Sequence, residues 1–216
     1  VRVSIAPTYH GENAVLRLLT DQHEQFTLDT LGLSLQNQEK IQRAIRKPYG
    51  MILATGPTGS GKTTTLYTVL KALNTPDVSI VTIEDPVEYA IDGIEQIPVN
   101  DRTNLSFSSG LRSILRQDPN IIMVGEIRDA ETGGLAVNTA LTGHLVLSTL
   151  HTNDAATTLP RLLDLGVEPY LIASTVNLII AQRLVRKLTA NKEKYFLSDA
   201  ELKNLGKLVD LDRVLT

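Results

Sequence analysis

The chain has 216 residues, 21 basic and 24 acidic side chains and a formal charge of −3, which suits one domain with a sizeable core and a small appendage. Near-balanced charge gives no electrostatic case for nucleic acid, although a local positive pore is compatible with it. The lack of cysteine excludes disulfides and thiolate-ligated zinc or iron–sulfur sites and leaves oxygen ligands for magnesium.

Residues 1–19, VRVSIAPTYHGENAVLRLL, hold two partly alternating segments around the turn-like PTYHGEN and predict a hairpin. A lone hairpin is marginal and needs partners, so it reads as the last piece of a preceding, smaller domain. Two domains are expected, residues 1–30 and residues 31–216. A chain that starts at Val1 in strand-like sequence reads as a piece of a longer protein. No signal peptide is visible, so any cytoplasmic placement has to come from the chemistry. The spacing of Leu35, Ile41, Ala44 and Ile45 predicts a helix that stops near Pro48-Tyr49-Gly50.

From there the pattern is α/β. MILAT leads through a glycine-rich loop into the predicted helix KTTTLYTVLKAL, and three more apolar runs follow, SIVTIED, NIIMVGE and HLVLSTLH. Nearly continuous apolar character predicts parallel strands covered on both faces. Helices are expected between them, over residues 106–116 and 130–141. Right-handed crossovers then bring the polar ends of all four strands to one edge of the sheet, where a ligand crevice belongs. Further helices are expected over residues 155–165 and 170–188, and a short one at SDAELKNL, with Ser198 as cap and Glu201 closing a capping box. The most apolar of these stretches, LIASTVNLIIAQRL, falls short of the roughly 20 apolar residues of a spanning helix, and no direct membrane span is expected.

GPTGSGKT, Gly56 to Thr63, matches the phosphate-binding loop in full and lies between a predicted strand and a predicted helix. Small residues let the amides of Gly56, Pro57, Thr58, Gly59, Ser60 and Gly61 converge on phosphates, proline contributing backbone shape only. The helix start at Lys62, Thr63 and Thr64 adds positive potential. Lys62 can reach the terminal phosphates, and Thr63 can give its hydroxyl to magnesium. Hydrolysis needs more, namely a positioned water and help with charge on the γ-phosphoryl oxygens.

Two acids compete for that work. Glu84 ends the second run and heads Glu84-Asp85-Pro86-Val87-Glu88, and Glu126 follows Gly125 after the third. Either can serve the metal or accept a proton from water, and spacing alone leaves the division open. Glu88 reads equally as a solvated loop acid. His151 leaves the fourth run on the active edge, able to bond a γ-phosphate or orient an acid; His144 enters that run and divides between a structural part and a relay. Arg112, Arg116 and Arg128 could neutralise phosphate or pair with Asp118, Asp129 or Glu131. Arg2 and Arg17 read, by themselves, as surface charges on the hairpin.

Taken together, GPTGSGKTTTLY, TIEDPVE, LRSILRQDPNIIMVGEIRDAET, TALTGHLVLSTLHTND and AQRLVRKL resemble the type II secretion and type IV pilus assembly ATPases, nearer to the secretion and pilus-extension branch. The resemblance covers nearly the whole chain. It implies a RecA-like ATPase domain preceded by a smaller domain, with ATP and Mg2+ bound between the two and beside a neighbouring subunit. It further implies a homo-hexamer at the cytoplasmic face of the bacterial inner membrane that turns a membrane platform protein. Retraction ATPases, and conjugation or nucleic-acid-translocating P-loop ATPases, are the alternatives.

By motif, the resemblance makes Lys62 and Thr63 the Walker A pair and Glu84 the acid that orients or activates water. Glu84 to Glu88 matches the Asp box, Glu126 the atypical magnesium-associated acid, and His144 with His151 the His box. Arg2 and Arg17 match arginines that approach the γ-phosphate, which reverses their bland reading. Many extension-type members carry a four-cysteine zinc element after QRLVRKL; TANKEKYFLSDAELKNL stands here instead, and no zinc is expected.

Overall fold

A computed structural model describes residues 2–17 and 26–207. The side chains of Arg2, Arg17 and Asp101 lie outside that description, so the phosphate-reaching role expected of the two arginines falls outside it too.

Strands β1 (Arg2–Thr8) and β2 (Gly11–Arg17) form the expected hairpin, with Arg2 opposite Arg17 in the backbone pairing. Its apolar residues Val3, Ile5, Val15 and Leu16 are exposed. Helix α1 (Leu35–Ile45) starts where the Ser34 side chain accepts from the Asn37 amide and buries Ile41 and Ala44. The four expected strands follow as β3 (Gly50–Thr55), β4 (Ile80–Glu84), β6 (Ile121–Val124) and β7 (Leu145–Leu150), every residue of each buried. An edge strand β5 (Glu95–Pro98) and a last strand β8 (Val176–Ala181) complete a six-stranded, wholly parallel sheet in the order β5-β4-β6-β7-β3-β8.

Successive strand side chains alternate between faces, and both faces are packed. Met51, Leu53, Ile83 and Val124 join one core layer with α3 (Phe107–Ile114), α4 (Ala130–Leu141), α5 (Thr158–Asp164) and α6 (Pro169–Thr175). Ile52, Ala54, Met123 and Leu147 join the other with α1 and α2 (Lys62–Leu73). That two-sided cover is why the runs are apolar throughout rather than alternating. Capping sets the helix starts: a Ser106–Ser109 box opens α3, and Asp129 accepts from the Thr132 amide to open α4.

Two expectations change. The helix expected over residues 170–188 is the short α6 followed by strand β8. A short apolar run does not distinguish a helix from a buried strand by period, and here the open edge of β3 offered a ladder that VNLIIA takes. Asn177 ties the strand start down, donating to the Tyr49 carbonyl at 2.7 Å and accepting from Lys47 at 2.9 Å. Likewise, residues 155–157 are not helical; the Asp154 side chain accepts from the Thr157 amide at 2.7 Å and holds a turn ahead of α5.

The chain divides into two compact units, Val1–Leu184 and Val185–Thr216. The second has one described helix, α7 (Asp199–Leu205), opened by the expected Ser198–Glu201 capping box. Among the described residues no helix is long and apolar enough to cross a membrane.

Candidate active site

Parallel strands deliver their C-terminal ends to one edge, and there β3, β4, β6 and β7 surround a cavity of about 590 Å3. Thr58, Gly59, Gly61, Lys62, Thr63 and Thr64 form its loop wall. Glu84, Asp85 and Glu88 enter from the end of β4, Glu126 and Arg128 from β6, and Thr149 and His151 from β7. The sequence-expected loop, both acids and His151 therefore meet at one place.

The loop is held in shape from β8. The Gln182 side chain donates to the Ser60 carbonyl at 2.7 Å and accepts from the Thr65 hydroxyl at 2.9 Å, and its amide donates to the Thr55 carbonyl at 3.1 Å. Gly56 turns with φ of 143°, where a Cβ would sit 2.6 Å from both the Gln182 carbonyl and Ser60 Oγ; only glycine fits that approach. Lys62, 9% exposed, donates to the carbonyls of Gly56 at 2.9 Å and Pro57 at 3.0 Å. Burial lowers its ammonium pKa; Glu126 pulls it back up and Arg183 lowers it further.

The two acids sit in unlike surroundings. Glu84 is 2% exposed and bonded by neutral donors: Thr82 Oγ1 at 2.6 Å and Gln96 Nε2 at 3.3 Å on Oε1, and the Tyr67 hydroxyl on Oε2. Burial raises its carboxyl pKa, against the opposing pull of those hydrogen bonds. Glu126 is instead held by cationic or ionisable partners, Arg128 at 2.5 Å and His151 Nε2 at 3.3 Å. Environment separates two carboxylates that spacing left equal. A general base benefits from a raised pKa, whereas a carboxylate that lines the cavity beside the phosphate loop offers a hard oxygen to a metal.

His144 is not at the cavity. It precedes β7 at the opposite edge of the sheet, where its carbonyl accepts from the Gly50 amide at 3.1 Å and its Nδ1 lies 3.2 Å from the Thr139 carbonyl. Arg112 pairs with Glu131 at 2.8 Å, one of the surface alternatives open to it. Sequence reasoning assigned nothing to Tyr67, Gln96 or Gln182. Tyr67 and Gln182 stand inside the quoted motifs GPTGSGKTTTLY and AQRLVRKL, but only the folded contacts say what they touch.

Among the described residues no three His, Asp or Glu side chains cluster as a metal cage. Magnesium asks for less, since it keeps waters and binds through one or two protein oxygens plus substrate phosphates. The Thr63 hydroxyl and the Glu126 carboxylate, hard oxygen donors on the same cavity, fit that demand.

A family profile described as Type II/IV secretion system protein matches residues 1–211. The chain belongs to that family. Within it, the type II secretion system protein E of Xanthomonas campestris pv. campestris is 56% identical over 94% of this chain and 36% of its own length. The type IV pilus assembly ATPase PilB of Myxococcus xanthus is 56% identical over 87% of this chain and 33% of its own. The chain thus spans about a third of these relatives. The structure of the pilus retraction motor PilT with bound ADP superposes with a TM-score of 0.74 at 36% identity, covering 86% of this chain and 55% of that one. Legionella pneumophila DotB gives 0.69 at 32%, covering 85% and 53%. The family fold is RecA-like, as the sequence resemblance implied.

Proposed function

We propose that the protein is an ATPase whose homo-hexameric ring powers type II secretion or type IV pilus assembly. The observation that carries this reading is the convergence of the phosphate loop, buried Glu84 and cation-paired Glu126 on one cavity. Lys62 and the loop amides bind the phosphates, Glu84 orients or deprotonates the attacking water, and Thr63 with Glu126 holds Mg2+. When bound, the metal neutralises charge on the β- and γ-phosphates. Glu88 and His151 stand close enough to assist, His151 through its contact with Glu126.

Residues 1–30 are read as the end of a smaller domain and residues 31–216 as the ATPase domain. Arg2 and Arg17 would approach the γ-phosphate when the two close, so this chain alone is expected to hydrolyse ATP weakly. The relatives' names support secretion or pilus-assembly proteins as partners; placement at the cytoplasmic face of the bacterial inner membrane beside a platform protein is what the sequence resemblance implies. Identities of 56% to secretion and pilus-assembly relatives, against 36% to the retraction motor, favour export or extension over retraction.

The test is made on the full-length ring. Glu84→Gln is expected to keep Mg-ATP binding and lose turnover, and Glu126→Gln to weaken the magnesium-dependent part of binding. ATP hydrolysis and nucleotide titration with and without magnesium check both; the opposite pattern reverses the two roles.

A further inference from the structure

Tyr67 lies on α2, the helix that begins at Lys62, with none of its surface exposed. Its hydroxyl donates to Glu84 Oε2 and accepts from the Glu88 amide at 3.3 Å. The Gln96 side-chain amide, from edge strand β5, is shared between that hydroxyl and Glu84 Oε1, each at 3.3 Å. Gln96 is itself fixed, its Oε1 accepting from the Ile91 amide at 2.7 Å and its Nε2 donating to the Tyr89 carbonyl at 3.2 Å.

Counting lone pairs shows what this arrangement leaves. An ionised carboxylate has about four acceptor sites, two per oxygen. Thr82 and Gln96 occupy both on Oε1, and Tyr67 occupies one on Oε2. Among the described residues one site remains, on the oxygen that Tyr67 bonds.

We propose that Tyr67 and Gln96 are positioning residues that aim a single free lone pair of Glu84 at the attacking water. The proposal rests on the assignment of Glu84 to that water. It ties the aim of the acid to two elements at once: the helix that carries the phosphate loop and the outermost strand of the sheet. Burial and the neighbouring Glu84 push the Tyr67 phenol well above its ordinary range, so it stays a proton donor across working pH. Hydrogen bonds to an ionised carboxylate favour that form, so losing one moves Glu84 further towards protonation. The other charged and titratable groups around the same cavity are Asp85, Glu88, Glu126, Arg128, Lys62 and His151; a change confined to Tyr67 leaves all of them in place.

The experiment compares wild type, Tyr67→Phe, Gln96→Leu and Glu84→Gln in the full-length ring, measuring kcat, KM for ATP and the pH dependence of kcat. Phenylalanine keeps the ring that packs edge-on against Tyr89 at 4.8 Å and removes only the hydroxyl. Y67F is expected to lower kcat roughly 10- to 100-fold, the range for a hydrogen bond to a charged group, with KM unchanged. Its acid limb should move to higher pH, and Q96L should move that limb the same way. A merely structural role would not shift the limb, so unchanged kcat, or a fall in kcat with the limb in place, overturns the proposal. Loss of turnover in E84Q beside an unaffected Y67F overturns positioning alone. Full turnover in E84Q removes the water assignment and the proposal with it.

Discussion

Glu84 shows how the burial that its proposed role uses can be a cost to the fold. Burial raises its pKa, so the folded protein holds the proton more tightly than the unfolded chain does. Its contribution to stability is then fully present below the unfolded pKa and is lost as pH rises through the folded one. Glu84→Gln cannot ionise, so the stability of the variant relative to wild type is expected to increase from about pH 4 towards neutrality. Denaturant midpoints across that range check it; a flat difference would show that the carboxylate is solvated rather than buried. The position of this acid at the end of an apolar run was legible in sequence, and so was that of Glu126. Their unlike surroundings were not legible from spacing, because the fold brings Tyr67 and Gln96 to Glu84 and His151 to Glu126 from elsewhere in the chain, and only the fold shows that nearby Arg128 turns back onto Glu126.

At the scale of elements, β3, β4, β6 and β7 were legible because burial on both faces writes an unbroken apolar run into the sequence. Edge strand β5, EQIP, was not foreseen: its residues are at best half-buried and it ends in proline, so it carries neither an apolar run nor alternation. β8 was foreseen as helix because its pairing partner, β3, lies more than a hundred residues away and only the fold brings them together. Helix α3 presses so closely on β4 that a Cβ on Gly110 would lie 1.8 Å from Ile83 Cδ1. Gly110→Ala meets no positive-φ strain and gains up to about 1 kcal/mol of helix propensity, against overpacking that costs about 1–3 kcal/mol, so a net loss of stability is expected. Urea unfolding reads the change; an unaltered midpoint would mean that Ile83 turns aside freely.

Over the whole molecule, the two units differ in how their backbones are held. Residues 182–197 have no regular secondary structure, and Leu184, Val185, Leu188, Tyr195 and Phe196 are 71–87% exposed. Exposed irregular backbone is cut first, so limited trypsin treatment is expected to cleave at Arg186 or Lys187 and leave the sheet intact, as mass spectrometry of the fragments will read. A first cut among the strand connections would contradict it. The sheet itself also divides tolerance to change. Glu84, Glu126 and His151 are placed by parallel ladders whose pairing fixes which residue ends each strand, and a one-residue slip turns every side chain to the other face. One edge of the molecule therefore cannot accept an added or deleted residue without misdirecting an acid. The opposite edge, where the chain enters those strands at Gly50, Ile80, Ile121 and Leu145, lines no part of that cavity, and its short turns are the natural seats for an epitope or a fluorophore.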